Sequence, residues 1–295
     1  MRQYAQRTGR PEQGPDAIVP AMTAAPPPPG PLSVSGPWDL VSTGYAAEAH
    51  HVMLPFTRDA LDLVRPERSA RVLDVAAGSG TLALELGARV ARVDAVDFSP
   101  AMLARLEEAR KERGLENVVS TLGDGQALPF ADATFDAGFS MFGLMFFPDR
   151  RQGFRELHRV LKPGARAAVS SWAPVDQSPL MQLMFGALRA ADPTRAPPQT
   201  NLLSLENPEL FAEEMKEAGF RDVEIKRVTH SVKVSDAETY WRTTTSASAP
   251  LALVKQRLGP EAWERQSELA LAYLRAELRT PRELATTAHL GIGTR

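Results

Sequence analysis

The chain has 295 residues, 43% of them hydrophobic, which is enough for one sizeable α/β core with accessory helices. Its formal net charge is −2 and no basic stripe stands out, which argues against a nucleic-acid or anionic-membrane surface. Because the sequence contains no cysteine, disulfides, thiolate metal sites and cysteine nucleophiles are excluded.

Residues 1–37 differ in composition from the rest of the chain. They hold nine of the 24 prolines and few large apolar side chains. We therefore predict a disordered proline-rich leader, followed by one folded domain over 38–295. The leader lacks the apolar core of a signal peptide, and no apolar run approaches the roughly 20 residues that span a bilayer. These features predict a cytoplasmic protein without membrane insertion.

The segment 71–80 predicts the nucleotide corner of a doubly wound α/β fold. Apolar, partly β-branched residues from Val72 to Val75 are typical of a strand that is buried on both faces. Gly78 and Gly80 then allow a tight turn and the close approach of a ligand, and good helix formers follow them. A strand, a glycine loop and a helix start in this order form a nucleotide-binding corner.

Two cofactor classes compete for this corner. The pattern Gly78-x-Gly80-x-x-Ala83, with Asp97 about 20 positions further on, fits the dinucleotide motif of nicotinamide enzymes. However, Asp74 lies on the strand just before the glycines and would repel a pyrophosphate. S-adenosylmethionine instead offers an α-ammonium and a sulfonium to this carboxylate. The sequence therefore favours S-adenosylmethionine, with a nicotinamide oxidoreductase as the alternative.

The next strand and helix add two candidate cofactor contacts. We predict a strand over 92–97, an N-cap at Ser99 and a helix after it. Asp97 could accept hydrogen bonds from both ribose hydroxyls, or it could only shape the start of this helix. Met102 could pack on an adenine ring through its sulfur, or it could belong to the apolar stripe of the helix.

A third strand is predicted over 118–122, and it ends in the turn 123–126. Asp124 in this turn can accept a hydrogen bond from an exocyclic adenine amine, while nearby backbone amides address the ring nitrogens. Gly-Asp-Gly is also an ordinary turn sequence. Its position at the exit of the third strand is what makes it a candidate adenine site.

These motifs resemble those of the class I S-adenosylmethionine-dependent methyltransferases, in the group of ubiquinone- and menaquinone-biosynthesis-type enzymes (methyltransferase types 11 and 25). The resemblance covers about residues 38–172, with several motifs in the correct order and spacing. One departure is Ala76, where the family usually has glycine. The matching motifs are VLDVAAGSG at 72–80, VDFSP at 96–100, GDGQALPF at 123–130, FD at 135–136, SMFGLMFFPD at 140–149 and ELHRVLKPG at 156–164.

The resemblance implies a Rossmann-like α/β fold. Its sheet has seven mostly parallel strands with an antiparallel last strand, and accessory helices surround it. The sixth strand is expected over 223–234 and the last over 286–293. We expect lid helices over 38–65, and accessory, substrate-covering helices over 173–220 and 235–283.

Helical patterns appear in four further segments. The motif at 156–164 is expected to end its helix at Lys162-Pro163-Gly164. A methionine- and leucine-rich patch at 180–188 is either a substrate lid or core. The segment 208–218 is amphipathic, and 237–278 looks largely helical, with Trp263, Ala270, Tyr273, Leu274 and Leu278 on one stripe.

The resemblance also implies which residues hold S-adenosylmethionine. Asp74 would reach its amino group, Asp97 its ribose and Asp124 its adenine amine. Ser140 would offer a backbone carbonyl to the same amino group as Asp74. The full implied set is Asp74, Ala76, Gly78, Gly80, Asp97, Phe98, Met102, Asp124, Gly125, Gln126 and Ser140.

The implied activity is methyl transfer to a small acceptor. The apolar loop with Phe142 and Met145, together with Tyr45 from the lid segment, is the expected substrate pocket and favours a hydrophobic or aromatic metabolite. O-methylation is ranked first, with C- or N-methylation close behind. No carboxylate cluster predicts a metal site.

The acceptor proton needs a base if the acceptor atom is oxygen or nitrogen. His50 and His51 in the lid segment are the candidates, and solvated lid histidines are the alternative interpretation. His230 lies on a strand whose facing the sequence does not determine. Another function class also stays open, namely a methyltransferase fold that binds the cofactor without methyl transfer, as a cyclase or partner-binding subunit. The oligomeric state does not follow from the sequence.

Overall fold

The computed structural model describes residues 30–194 and 205–295, and seven strands in this part of the chain form one sheet. The strands are β1 (Arg71–Val75), β2 (Arg92–Asp97), β3 (Val118–Leu122), β4 (Phe135–Ser140), β5 (Leu161–Trp172), β6 (Arg221–Val234) and β7 (Arg282–Thr294). Their order is β3-β2-β1-β4-β5-β7-β6. Strands β1 to β5 are parallel, and β7 lies antiparallel between β5 and β6. The predicted mostly parallel sheet with an antiparallel last strand is confirmed.

Helices cover both faces and one end of this sheet. They are α1 (Gly36–Gly44), α2 (His50–Val64), α3 (Thr81–Leu86), α4 (Pro100–Glu112), α5 (Arg150–Val160), α6 (Pro179–Ala191), α7 (Pro208–Glu217), α8 (Ala237–Ala247), α9 (Ala249–Leu258) and α10 (Pro260–Glu277). A π-helical turn at Tyr45–Ala49 joins α1 to α2. Each helix in the described residues is too short or too polar to cross a membrane.

The apolar core lies in two layers, one on each face of the sheet. On one face, Leu82 of α3 and Leu106 of α4 pack with Val72 of β1. On the other face, Phe154 of α5 and Phe211 of α7 pack against strand side chains that alternate along the strands with those of the first face. These side chains are almost completely buried, and each stabilises the fold by about 1.5–3 kcal/mol.

Helices α6, α8 and α10 form a third layer around a separate apolar cluster. The predicted stripe on α10 is confirmed, since Ala270 and Leu274 are fully buried in this cluster. Trp263 stacks on Trp241 of α8 with ring centroids 5.8 Å apart. The cluster continues to Leu284 at the start of β7, which attaches the accessory layer to the sheet.

Two predicted boundaries are wrong. Helix α5 ends at Val160 instead of at the proline motif, because buried Leu161 pairs with Phe135 and starts β5. The predicted leader extends to residue 37, but Leu32 is already buried in the core and accepts a hydrogen bond from Trp38 Nε1 at 3.0 Å. Residues 1–29 of the predicted leader lie outside the described part of the chain.

Candidate active site

The glycine loop after β1 turns back through left-handed backbone conformations. Ala76, Gly78 and Gly80 have φ angles of 55°, 56° and 91°. For Ala76 this conformation costs about 1–2 kcal/mol relative to glycine, yet the chain adopts it as the family's glycine would. A side chain at Gly80 would place its Cβ 2.3 Å from Leu106 Cδ1, so this glycine allows α3 to pack against α4. The sequence predicts Gly80 as a ligand contact, and the structure gives it this role in helix packing.

Asp74 lies 2% exposed at the end of β1, and its Oδ2 atom has no hydrogen-bond partner. Burial, followed by the charge of the neighbouring Asp97, raises the pKa of Asp74 to about 8. A carboxylate oxygen that is buried and unpartnered is costly unless a ligand satisfies it. Asp74 therefore fits a site that receives a positively charged group.

Asp97 at the end of β2 holds the glycine loop in place. Its two oxygens accept hydrogen bonds at 2.8 Å from the backbone amides of Gly78 and Ser99. Burial raises the pKa of Asp97 to about 6, while these backbone bonds lower it. The predicted capping role of Ser99 is confirmed, since its hydroxyl accepts from the Met102 amide at 3.1 Å. Asp97 can therefore shape the start of the helix and also accept from ribose hydroxyls, because each of its oxygens keeps a further lone pair.

A latch that the sequence did not reveal closes the lid over this corner. The Ser99 hydroxyl donates to Asp39 Oδ1 of α1 at 2.6 Å, and the Ala101 amide donates to the same oxygen at 3.3 Å. Asp39 thereby links α1 to the N-terminus of α4. An acidic residue in an amphipathic helix carries no local signal of such a distant partner.

A cavity of about 180 Å³, here called the small cavity, opens at the carboxyl ends of β1, β2 and β4. This is the point at which the strand order reverses, where doubly wound folds bind their ligands. The predicted cofactor residues that line it are Ala76, Gly78, Asp97, Phe98, Met102, Asp124, Gly125 and Gln126. Asp74, Gly80 and Ser140 do not line it.

The turn after β3 is held by its own side chains. Asp124 is exposed and accepts from the Gln126 amide at 2.8 Å, while Gln126 Oε1 accepts from the Asp149 amide at the same distance. Gly125 is needed for close packing, since a Cβ there would lie 2.4 Å from Phe147 Cζ. Ser140 is buried, and its hydroxyl accepts from the Leu144 amide at 3.1 Å.

Charge and shape in the small cavity suit a cationic nucleoside better than a dinucleotide. Asp97 and Asp124 are its charged lining residues, and no lysine or arginine lines it in the described part of the chain. Two carboxylates, with Asp74 behind them, would repel a pyrophosphate and attract an ammonium or sulfonium. The residues present therefore fit S-adenosylmethionine.

A second cavity of about 1450 Å³, here called the large cavity, adjoins the small one. Tyr45 and Phe142 line both cavities, and Met145 lines the large one. Helices α6, α8 and α9 supply much of its wall, whereas α7 and α10 contribute no lining residue that the structure describes. The residues that both cavities share are Leu32, Trp38, Tyr45, Phe142 and Phe146.

The wall between the cavities is aromatic and strained. Phe142 has a φ angle of 57°, and its amide donates to Ser170 Oγ at 2.8 Å. Its ring stacks on Trp172 with centroids 4.1 Å apart. On the lid side, Trp38 packs edge-on against Phe146 at 5.0 Å. The motif at 140–149 indicated this wall, but Trp38 and Trp172 carried no signal that they would join it.

Tyr45 closes the wall above the glycine loop. Its hydroxyl donates to Met53 Sδ at 3.1 Å, and its ring lies 3.7 Å from the position that a Cβ at Gly78 would occupy. Burial, followed by the charge of Asp97, raises the pKa of Tyr45. Tyr45 therefore stays neutral and covers the cleft.

The candidate histidines lie in different surroundings. His51 lines the large cavity, whereas His50 lines neither cavity. Burial, followed by the charge of His51, lowers the pKa of His50. His230 contacts Asp59 of α2 with Nε2 and Oδ2 2.6 Å apart, and it also lines neither cavity. Within residues 30–194 and 205–295, no group of three or more His, Asp or Glu is placed to hold a metal ion.

Comparisons with known proteins agree with this geometry. A family model described as a methyltransferase domain matches residues 72–164. The demethylmenaquinone methyltransferase of Corynebacterium efficiens is 37% identical over 178 residues, which are 60% of this chain and 71% of the relative. The enzyme of the same name from Thermus thermophilus is 42% identical over 123 residues, which are 41% of this chain and 56% of the relative.

Solved structures share the fold. The YcgJ protein of Bacillus subtilis aligns with a TM-score of 0.52 and 22% identity, covering 83% of this chain and 98% of that one. The [4+2]-cyclase SpnF aligns with a TM-score of 0.55 and 20% identity, covering 88% of this chain and 97% of that one. The methyltransferase motifs, the small cavity and the sequence relatives agree. The chain belongs to the class I S-adenosylmethionine-dependent methyltransferases of the menaquinone- and ubiquinone-biosynthesis type.

Proposed function

We propose that this enzyme methylates a small hydrophobic or aromatic molecule that carries a hydroxyl group and binds in the large cavity. Oxygen is the first acceptor atom, and ring carbon or nitrogen follows. The observation that carries the proposal is the shared aromatic wall, because Tyr45 and Phe142 line both cavities. A flat or apolar acceptor packed on this wall would lie beside the small cavity.

Three carboxylates would hold the cofactor, two of them buried and one exposed. Asp97 would accept from the ribose hydroxyls with the lone pairs that its two backbone bonds leave free. Asp124 is exposed to the small cavity and would accept from the adenine amine. The unpartnered Oδ2 of Asp74 would address the amino group of the methionine part, through water.

When bound, S-adenosylmethionine supplies an electrophilic methyl group on a sulfonium. The chain's own contribution is orientation and the exclusion of water. The aromatic faces of Tyr45 and Phe142 favour a cationic centre beside them and exclude water from it. Positioning of two reactants in this way can lower a barrier by several kcal/mol, up to about 7–11 in the best cases.

His51 would remove the acceptor proton. Its ring lines the large cavity, so a hydroxyl bound there can reach it directly or through one water. A phenol that loses its proton becomes nucleophilic at oxygen and at the neighbouring ring carbons. The same base would therefore serve O-methylation and C-methylation.

The names of the relatives support an acceptor of this kind. Two of them, from Corynebacterium efficiens and Thermus thermophilus, are named for demethylmenaquinone, a quinone. Reduced quinones are hydroxylated aromatic rings, which match the aromatic wall and the apolar lining of the large cavity. We propose a quinone-like or phenolic ring as the acceptor class.

The direct test combines the purified protein with S-adenosylmethionine and two naphthalenes. One is 1,4-dihydroxynaphthalene, kept reduced, and the matched control is its dimethyl ether, which has no hydroxyl proton. We expect S-adenosylhomocysteine release and a methylated product only with the dihydroxy compound. Magnetic resonance of the product then identifies oxygen or carbon as the acceptor atom.

Cofactor binding without turnover on any acceptor of a phenol panel would contradict the proposal. That result would favour the alternative in which the fold binds the cofactor without methyl transfer, as a cyclase or a partner-binding subunit. Calorimetric binding of S-adenosylmethionine in the same samples separates this outcome from a failure of the cofactor site.

A further inference from the structure

The charged residues of the large cavity differ in sign from those of the small one. Arg189, Lys233 and Arg257 line the large cavity, and we call them the rim cations. All three are exposed, and among the residues that the structure describes their side chains form no hydrogen bond or ion pair. Glu48 is the carboxylate in the same lining, and Arg242 already pairs with it at 3.3 Å.

This local excess of positive charge runs against the charge of the whole chain, which is −2. Within the described residues, none of the three cations forms an ion pair and the one carboxylate is paired, so the lining attracts an anion. The rest of the lining is predominantly apolar and includes Trp172, Met184 and Phe185. The cavity therefore combines a long apolar wall with a positively charged part.

The rim cations come from elements that take no part in the small cavity. Arg189 belongs to α6, Lys233 to the end of β6 and Arg257 to α9, and none of these elements supplies a described residue to the small cavity. The aromatic wall next to the cofactor site comes from the lid and from the loop after β4. Anion recognition is thus separate in the chain from the part that addresses the reacting methyl.

A purely structural explanation covers part of this pattern. Arg189 and Arg257 lie in the last turns of their helices, where a cation is favoured by the helix dipole. Lys233 lies on β6 opposite Glu283 of β7, and this cross-strand position also favours a cation, although the two side chains form no ion pair. Lys255 is in the same last turn as Arg257 but does not line the cavity, so the helix end alone does not determine which cation faces it.

We propose that the acceptor is an anionic amphiphile, with an apolar or aromatic body in the large cavity and a carboxylate, sulfonate or phosphate group on the rim cations. Because the large cavity is the proposed acceptor site, this anion preference rests on the proposed function. It deepens that function by separating acidic acceptors from neutral quinones of the same size.

Two fluorescent probes with the same body test the preference. The anion 1-anilinonaphthalene-8-sulfonate and the neutral N-phenyl-1-naphthylamine differ only in the sulfonate. We expect the wild-type protein to bind the anion about tenfold more tightly at low salt, since three exposed charge contacts contribute modestly each. The preference should shrink as added salt screens the rim.

The decisive variant is Arg189→Gln/Lys233→Gln/Arg257→Gln. It should bind the anionic probe as weakly as the neutral one, with the affinity for the neutral probe unchanged. The matched control is Lys111→Gln/Lys255→Gln/Arg265→Gln, which removes three exposed cations that do not line the cavity. The control should keep the full preference.

Equal affinities for the two probes in the wild type, or a preference that survives in the decisive variant, would overturn the proposal. If the triple variant does not fold, the three single variants replace it, and each should lose part of the preference. Calorimetry with S-adenosylmethionine accompanies every sample. Intact cofactor binding without an anion preference would overturn only this inference, whereas lost cofactor binding in the wild type would overturn the proposed function.

Discussion

The small and the large cavity share an aromatic wall, but they differ in origin and in charge. The small cavity is built at strand ends, carries Asp97 and Asp124, and lies mostly within residues 72–164, the part that the family model matches. The large cavity draws on α6, α8 and α9 outside that part and carries three cations. The cavity that we assign to the cofactor and the cavity that we propose for the acceptor therefore draw on different segments of the chain.

The two cavities also hold their polar groups by different means. In the small cavity, backbone amides at the end of β2 fix the buried carboxylate of Asp97, so a substitution there affects both the fold and the ligand. In the large cavity, the charged groups are exposed on helices and a strand end, so they can change with little effect on the fold. Variants on opposite sides of the wall should separate binding of the cofactor from selection of the acceptor.

The largest expected effect is at Asp97 in the small cavity. Asp97→Asn removes one charged acceptor and should weaken S-adenosylmethionine binding by at least about 100-fold, since two hydrogen bonds to a charged group contribute about 1.5–3 kcal/mol each. The matched control is Asp94→Asn on the other face of the same strand, where Asp94 accepts from Arg71 and Arg92. Calorimetry should show normal affinity in the control despite its lower stability. Similar losses in both variants would mean that Asp97 acts only through the fold.

The next effect is at the two lid histidines, of which His51 lines the large cavity and His50 does not. His51→Ala should lower the rate of methyl transfer by about 100-fold, the lower range for loss of a general base. His50→Ala should leave the rate within about twofold, because His50 lines neither cavity. Single-turnover rates with saturating cofactor measure this directly. A larger loss at His50 than at His51 would exclude the proposed base.

The small cavity could be predicted from the sequence better than the large one. Strands within 71–80 and over 92–97 and 118–122 could be predicted because each contains valines and precedes a turn or a helix cap that contains glycine or serine. Eight of the cofactor residues that the family resemblance implies line the small cavity, and all but Met102 of α4 lie at or just after a strand end.

What the sequence could not supply depends on contacts between distant segments. The bond from Ser99 to Asp39 and the stacking of Phe142 on Trp172 join residues 60 and 30 positions apart. The sequence alone does not distinguish a loop glycine that approaches a ligand from one that packs against a side chain. Gly80 packs against Leu106. The charge of the large cavity is equally invisible, since its cations come from three separate elements.

A moderate effect is expected from pH, and it comes from Asp97 in the small cavity and from Asp74 at the end of β1. The pKa values of Asp74 and Asp97 are raised to about 8 and about 6, above the ordinary value near 4. A raised folded-state pKa gives stability that is complete below about pH 4 and is lost as pH rises through the folded-state values. The contribution of these two carboxyl groups to the free energy of unfolding should therefore fall between about pH 4 and pH 8. Each tenfold difference between the folded-state and unfolded-state acid dissociation constants corresponds to about 1.4 kcal/mol of this loss.

Asp74→Asn removes the upper part of this pH dependence. Denaturant unfolding at about pH 5, 6.5 and 8 should show a flatter curve for the variant than for the wild type, with the difference greatest above pH 6. Parallel curves would mean that Asp74 is not the buried carboxylate that the geometry describes.

The smallest effect concerns the lid. Asp39→Ala removes two hydrogen bonds that join α1 to α4, each contributing about 0.5–1.5 kcal/mol. Cofactor affinity should fall about fivefold to tenfold, mainly through faster dissociation in stopped-flow measurements. Asp62→Ala, an exposed aspartate in the next lid helix, is the control and should change nothing. Unchanged dissociation in Asp39→Ala would show that the latch does not retain the cofactor.

The central claim is that the small cavity binds a cationic sulfur nucleotide. Its most direct test is calorimetric titration of the purified protein with S-adenosylmethionine, S-adenosylhomocysteine and NAD in parallel. The carboxylate lining predicts binding of both sulfur nucleotides and no heat from NAD. Binding of NAD, or silence of both sulfur nucleotides, would contradict the assignment of the cavity.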